Sequence, residues 1–169
     1  MVALRVVERD DLPRLHELLN DVEVLSRVSS QRPLPSSLAA LQADFDAEAA
    51  APPRLGIRFV VEVDGLVIGD CGLHAMDFYS LNCHLGIALA RDEWGKGYGT
   101  DAVRVLVEYA FTHLRMHKVC LEVLADDERA VGAYRRAGFV EEGRLRDQSW
   151  HRGGYHDLLR MAVLRGAGA

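Results

Sequence analysis

The sequence predicts a single-domain mixed α/β (α+β) fold. Three observations carry that reading. An apolar run at residues 85–89 leads through alternating glycines into a helical pattern over 101–114. Two β-patterned runs flank Asp64-Gly65, a dipeptide that marks a tight hairpin. The runs order themselves as strand, two helices, three antiparallel-type strands, helix, strand, helix and two strands, which is a sheet with helices packed on it. With 169 residues the chain is one domain, 1–169, large enough for a full core, with no internal repeat or low-complexity linker.

Residues 4–7 read as the first strand. Asp10 or Asp11 then caps a helix to about Leu19, with Pro13 in its first turn and Leu12, Leu15, Leu18 and Leu19 on one face. Residues 29–35 are a polar, proline-bearing loop. Ser36 or Ser37 caps a second helix that carries Leu38, Leu41 and Phe45, fades in the alanine run 47–51 and stops at Pro52-Pro53. Strands follow at 58–63, 66–73 and 82–89. The helix over 101–114 buries Ala102, Val103, Leu106, Ala110 and Leu114. Residues 118–124 are β-rich and mostly apolar, as in a central strand. Asp126 or Asp127 caps a short helix over 128–137 that ends at Gly138. Gly132 inside it costs about 1 kcal/mol against alanine, which a close approach would explain. Residues 139–146 and 156–164 are the last strands, around a turn at 152–154, and 166–169 form a frayed tail.

The segment Trp94-Gly95-Lys96-Gly97-Tyr98-Gly99-Thr100 carries the most chemistry. Glycine permits positive φ and close backbone approach. The first N–H groups of a helix lack internal partners, and the helix dipole favours an anion there. The segment therefore reads as a cradle for a pyrophosphate. Neither common nucleotide fingerprint fits. The glycines fall at G-x-G-x-G rather than G-x-G-x-x-G; Lys96 follows Gly95, but no glycine sits five residues before Gly95 and Gly97 replaces the hydroxyl residue of a triphosphate loop. A turn that merely uses glycine is the alternative.

The formal net charge of −5 disfavours a nucleic-acid partner and is compatible with a cationic or amine substrate. No stretch approaches the roughly 20 apolar residues of a membrane span. Residues 1–10 carry Arg5, Glu8, Arg9 and Asp10 without a long apolar core, so no signal peptide and a cytoplasmic location are expected. Cys71, Cys83 and Cys120 are widely spaced in apolar runs and read as buried, reduced thiols. C-x-x-C metal spacing is absent, and no metal site is expected.

Two segments resemble the GNAT superfamily of acetyl-CoA-dependent N-acetyltransferases. Trp94 to Gly99 is similar to its cofactor motif R/Q-x-x-G-x-G/A, with Trp94 where Arg or Gln is usual. Asp127 to Phe139 is similar to its N-x-x-A-x-x-x-Y-x-x-x-G-F helix, with Asp127 where Asn is usual. Glu142-Gly143-Arg144, Gly154, Asp157 and Met161 resemble the branch that acetylates ribosomal-protein N-termini and spermidine. The resemblance implies a largely antiparallel sheet with a central splayed parallel pair, the strand at 85–89 parting from that at 118–124. It implies acetyl-CoA as co-substrate and no metal. The pantetheine arm would pair with the backbone of Ile87, Ala88 and Leu89. The pyrophosphate would sit on the amides of Trp94, Gly95, Lys96, Gly97, Tyr98, Gly99 and Thr100. Asp127, Ala130 and Tyr134 would flank the thiol end. Asp127 lacks the NH₂ donor of Asn, so one cofactor hydrogen bond is lost or reversed. A homodimer is an expectation of the resemblance alone.

The implied reaction is direct attack of a neutral amine on the thioester carbonyl. An amine must lose a proton, the carbonyl oxygen must be stabilised, and the leaving thiolate must be protonated. By resemblance, Tyr134 is the candidate acid: a phenol near 10 stands slightly above a thiol near 8.5. The backbone N–H of Ile87 is the candidate for the carbonyl oxygen. His84 occupies a position where relatives often carry Glu and would serve as base, directly or through a water, or else as a plain strand residue. Asp70 and His74 share one strand face and would line the amine pocket. Glu62 would join them only if its face is open. His151 and His156 flank a glycine turn and read as exposed loop residues. Cys83 and His84 are adjacent strand residues on opposite faces and cannot form a dyad, which speaks against a covalent intermediate. The acceptor is a protein N-terminus or a small amine such as a polyamine or aminoglycoside. A non-catalytic acetyl-CoA sensor or partner subunit is the rival class.

Overall fold

The computed structural model describes residues 1–28, 34–50 and 56–166. Seven strands form one sheet: β1 Val2–Val6, β2 Ile57–Val63, β3 Leu66–Asp77, β4 Asn82–Leu89, β5 Lys118–Leu124, β6 Val140–His151 and β7 Gly154–Leu164. Their order is β1-β2-β3-β4-β5-β7-β6. Only β4 and β5 pair in parallel; every other neighbour is antiparallel. The expected mixed sheet with a central parallel pair is therefore present.

The helices are α1 Leu12–Leu19, α2 Val22–Val28, α3 Leu38–Ala50, α4 Tyr98–Thr112 and α5 Glu128–Arg136. They divide the core between the two sheet faces. On one face, Ala102, Val103, Leu106 and Ala110 of α4 pack on Val61, Leu73, Leu85, Val119 and Leu121. On the other, Leu12 and Leu15 of α1 pack on Val7 and Val60, with Leu38, Leu41 and Phe45 of α3 beside them. Alternation along β2 makes this work: Val60 and Val61 are both fully buried because they face opposite layers.

Several elements differ from the sequence reading. Helix α2 is new: Asp21 Oδ1 accepts the amide of Glu23 at 2.8 Å and starts a turn that the mixed pattern of Val22–Val28 did not reveal. Asp11 precedes α1 without capping it, because its carboxylate accepts two bonds from Arg5, at 2.7 and 2.8 Å, and the amide of Glu8. Ser37 caps α3, its Oγ accepting the Ala40 amide at 3.1 Å. Helix α4 begins at Tyr98, inside the glycine motif rather than after it. A Cβ at Gly132 would meet only the mobile end of the Arg136 side chain, so no close approach explains that glycine. Pro52-Pro53, most of the loop at 29–35 and most of the tail at 166–169 lie outside the described residues.

Candidate active site

The sheet splits at its centre. β4 and β5 pair at Asn82–Lys118, Cys83–Val119 and His84–Cys120, and no further. Beyond that point β4 stays paired to β3 through Leu89, and β5 to β7 through Leu124. The β5-facing edge of β4 over residues 85–89 therefore has no strand partner, and its backbone groups are open to another ligand. A cavity of about 380 Å³ fills the split, lined by His84, Ile87, Trp94, Asp127, Ala130 and Tyr134 among others. A larger one of about 950 Å³ opens on the face that carries α1 and α3, with Glu8, Glu48 and Asp70 on its walls. His74, Gly86 and Ile87 border both, so the two spaces meet at the point where the strands part.

The glycine motif sits at the far end of the split. Gly97 precedes α4 with φ +91°, a left-handed conformation that favours glycine. The first intrahelical bond of the turn runs from Asp101 N–H to Gly97 O at 3.2 Å. The amides of Tyr98, Gly99 and Thr100 are thus left at the positive end of a 15-residue helix. The amide of Trp94 is not available, since it donates to Arg91 O at 3.2 Å. Lys96 is exposed and paired to Glu93 at 3.0 Å.

Trp94 and Asp127, the two departures from the motifs, meet in one network. The indole N–H of Trp94 donates to Leu89 O at 2.9 Å, covering part of the open β4 edge. Arg129 stacks on the ring at 4.3 Å, and the Arg27 guanidinium lies 5.6 Å from its centroid. Asp127 is almost wholly buried. Its Oδ1 accepts the Ala130 amide at 3.0 Å and caps α5, while its Oδ2 accepts from Arg27 at 2.8 Å and lies 3.5 Å from Arg129. Both carboxylate oxygens are thus committed inside the protein. The donors that face the cleft instead are the guanidiniums.

A model of the acetyltransferase (GNAT) domain matches residues 2–140. The chain belongs to this family. The spermidine N(1)-acetyltransferase of Escherichia coli strain K12 is 30% identical over 164 residues, covering 97% of this chain and 86% of that protein. YdaF of Bacillus subtilis, whose name assigns it provisionally to ribosomal N-acetylation, is 33% identical over 110 residues, covering 65% of this chain and 60% of that one. Among solved structures, spermidine N-acetyltransferase from Vibrio cholerae in complex with CoA and spermine superposes with a TM-score of 0.88 at 30% identity, covering 96% of this chain and 95% of that one.

This GNAT chain is an acetyl-CoA-dependent N-acetyltransferase, and its residues fit that co-substrate. An open strand edge for the pantetheine amides leads to a left-handed glycine and unpaired helix amides suited to a diphosphate. Among the described residues no helix is long and apolar enough to cross a membrane, and no group of three ligands could hold a metal.

Tyr134 projects from α5 against Phe139, ring centroids 5.9 Å apart, and its hydroxyl has no hydrogen-bond partner among the described residues. Burial, with a smaller push from the Asp127 charge, raises the phenol to about 12. It is a weaker acid than its ordinary value near 10 promised. His84 and His74 lie on adjacent strands with rings 5.8 Å apart. Burial, and then the neighbouring His84, lower the proton affinity of His74, which favours the neutral ring. Cys83 points into the core, away from His84, as strand alternation requires.

The remaining expected site residues are placed as follows. Asp70 lines the larger cavity beside His74, but Arg58 Nε donates to its Oδ2 at 2.6 Å. Glu62 is taken by Arg5 at 2.9 Å and lines neither cavity. His151 and His156 are not exposed loop residues. His151 closes β6 at 5% exposure with Nδ1 unpartnered, and His156 Nδ1 lies 2.7 Å from Asp126. Cys71 and Cys83 are buried and Cys120 only partly so; burial raises all three thiols. Sequence reasoning missed Arg27, Arg129 and Glu122 as cleft residues. Glu122 had a signal, as the one charge in the interior of an otherwise apolar central strand.

Proposed function

We propose that this acetyltransferase acts on a small cationic polyamine, by direct transfer within a ternary complex. The observation that carries the reading is the junction at His74, Gly86 and Ile87, where the cleft in the split sheet opens into a roomier cavity with carboxylates on its walls. The likeness to spermidine acetyltransferases over nearly the whole chain supports the same acceptor class. Acetyl-CoA supplies an activated acyl carbon. The amine would enter from the larger cavity and give its proton to His84, directly or through a water. Its nitrogen then forms the C–N bond as the C–S bond breaks. The Ile87 amide would hold the carbonyl oxygen. Tyr134, kept protonated at about 12, would donate a hydrogen bond to the departing sulfur, which leaves as a thiolate, ordinarily near 8.5, while the amine proton stays on His84. This reading also takes the enzyme as cytoplasmic and able to pair as a homodimer. The test is thiol release from acetyl-CoA against spermidine, an alanine-initiated peptide and an aminoglycoside. Preference for spermidine supports the reading, preference for the peptide replaces the acceptor, and acetyl-CoA binding without turnover on any amine leaves a sensor.

A further inference from the structure

We propose that Glu122 of β5 is the acceptor-binding residue of the cleft, holding the attacking amine as an ammonium opposite His84 until the imidazole takes its proton. The inference rests on the acetyl-transfer reading and deepens it. The last bonded position of the parallel pair is His84–Cys120. Glu122 lies two residues beyond Cys120, so its side chain leaves the same sheet face as Cys120 and His84 at the first position past the split. Both Glu122 and His84 line the cavity there, one on each wall. The cavity has one other carboxylate, Asp127, whose two oxygens are already committed to the Ala130 amide and to Arg27. Glu122 is different. Its cross-strand neighbour on β7 is Arg160, whose Nε donates to Oε1 at 2.8 Å. The other oxygen has no hydrogen-bond partner among the described residues, and the side chain, 28% exposed, lines the cleft.

That arrangement suits an anchor better than a base. A guanidinium on one carboxylate oxygen fixes the plane of the group and stabilises its ionised form, while the second oxygen accepts a charge-assisted bond from an ammonium. A cation selected by Glu122 and deprotonated by His84 separates binding from proton transfer between two residues on opposite walls. The role is that of binding and orienting the nucleophile, with no covalent step at Glu122.

The experiment is steady-state kinetics on Glu122→Gln, Glu122→Asp and Arg160→Met, with whichever of spermidine and an alanine-initiated peptide the wild type acetylates faster, together with calorimetry of acetyl-CoA binding. Losing one charge-assisted bond predicts an acceptor KM raised about 10- to 100-fold in Glu122→Gln. Its acetyl-CoA affinity stays unchanged, its kcat at saturating amine is nearly unchanged, and Glu122→Asp falls between. Arg160→Met keeps the carboxylate but loses the bond that orients it, so its acceptor KM rises clearly less than that of Glu122→Gln. An unchanged KM in Glu122→Gln overturns the proposal. So does an Arg160→Met defect equal to that of Glu122→Gln, because Glu122 would then only brace β7. Wild-type protein that binds acetyl-CoA but acetylates neither acceptor takes down the acetyl-transfer reading itself, and the role of Glu122 with it.

Discussion

Arg27 Nη1 lies 2.8 Å from Asp127 Oδ2 and joins α2 to the start of α5 across the mouth of the cleft. Glu23 extends the link, accepting from Arg27 on one side and from Arg152 on the other. Helix α2 is seven residues long, too short to hold its shape alone. Its position against β4 and β5 is therefore set by these ion pairs as much as by Val24, which is buried beneath it.

Arg27→Met leaves Asp127 with Arg129 at 3.5 Å as its nearest cation. A destabilisation of about 1–3 kcal/mol is expected in urea unfolding. Asp127→Asn retains the oxygen that caps α5 and should cost less. The double variant should fall short of the summed losses by about 1 kcal/mol, the mark of a direct pair. Strict additivity would show that Arg27 and Asp127 do not stabilise one another.

Tyr134→Phe removes a hydroxyl that has no hydrogen-bond partner among the described residues, so folding and acetyl-CoA affinity should hold. Turnover should fall by at least about 10-fold if the phenol serves the leaving sulfur. Because the phenol is pushed up to about 12, it stays protonated throughout an ordinary assay range. Any basic limb in the rate profile below about pH 10 belongs to another group and should survive in the variant. Equal turnover of the two proteins would remove Tyr134 from the chemistry.

The parts legible in the sequence were those set by short-range pattern. Asp64-Gly65 gives a hairpin wherever it falls between β runs, and Gly97 marks a left-handed entry to a helix; both are local facts of backbone sterics. What escaped depends on partners distant in sequence. Helix α2 is held by residues 100 and more positions away, at Asp127 and Arg152. Asp127 looked like a damaged cofactor contact because the motif says nothing of Arg27. The weakened acidity of Tyr134 comes from burial that only the assembled core creates. Likewise, His151 reads as loop by its glycine neighbours, yet the long β6–β7 hairpin carries it inside.

Two separate losses of stability should appear on acidification. The proton affinity of His74 is lower in the folded state than its ordinary 6.5, so the unfolded chain binds more protons. The stability linked to this group is present above 6.5 and is lost as the pH falls through the folded value. Glu23 is held down to about 2 by Arg152 and then Arg27, against an ordinary 4.5. Its contribution is present above 4.5 and is lost only as the pH falls toward 2. Urea midpoints across pH should show the first loss vanish in His74→Gln and the second shrink in Arg152→Met. A His74→Gln profile that parallels the wild type between neutrality and the carboxylate range would contradict the lowered proton affinity of His74 in the folded protein.

Gly97 offers the sharpest test of the cofactor cradle. A Cβ there would touch nothing within 4 Å, so side-chain bulk against the protein is not the constraint. The constraint is φ +91°, which a β-branched residue adopts only at a cost of about 1–3 kcal/mol. Valine would pull the backbone out of the left-handed region and turn the amides of Tyr98, Gly99 and Thr100 away from a shared point. Asparagine tolerates that region far better. Calorimetry should therefore find acetyl-CoA binding lost in Gly97→Val and largely kept in Gly97→Asn, with both proteins folded by circular dichroism. If Gly97→Val binds normally, the diphosphate does not depend on this turn. If asparagine fails as badly as valine while the backbone is intact, the obstacle is a side chain in the ligand's space rather than the direction of the amides.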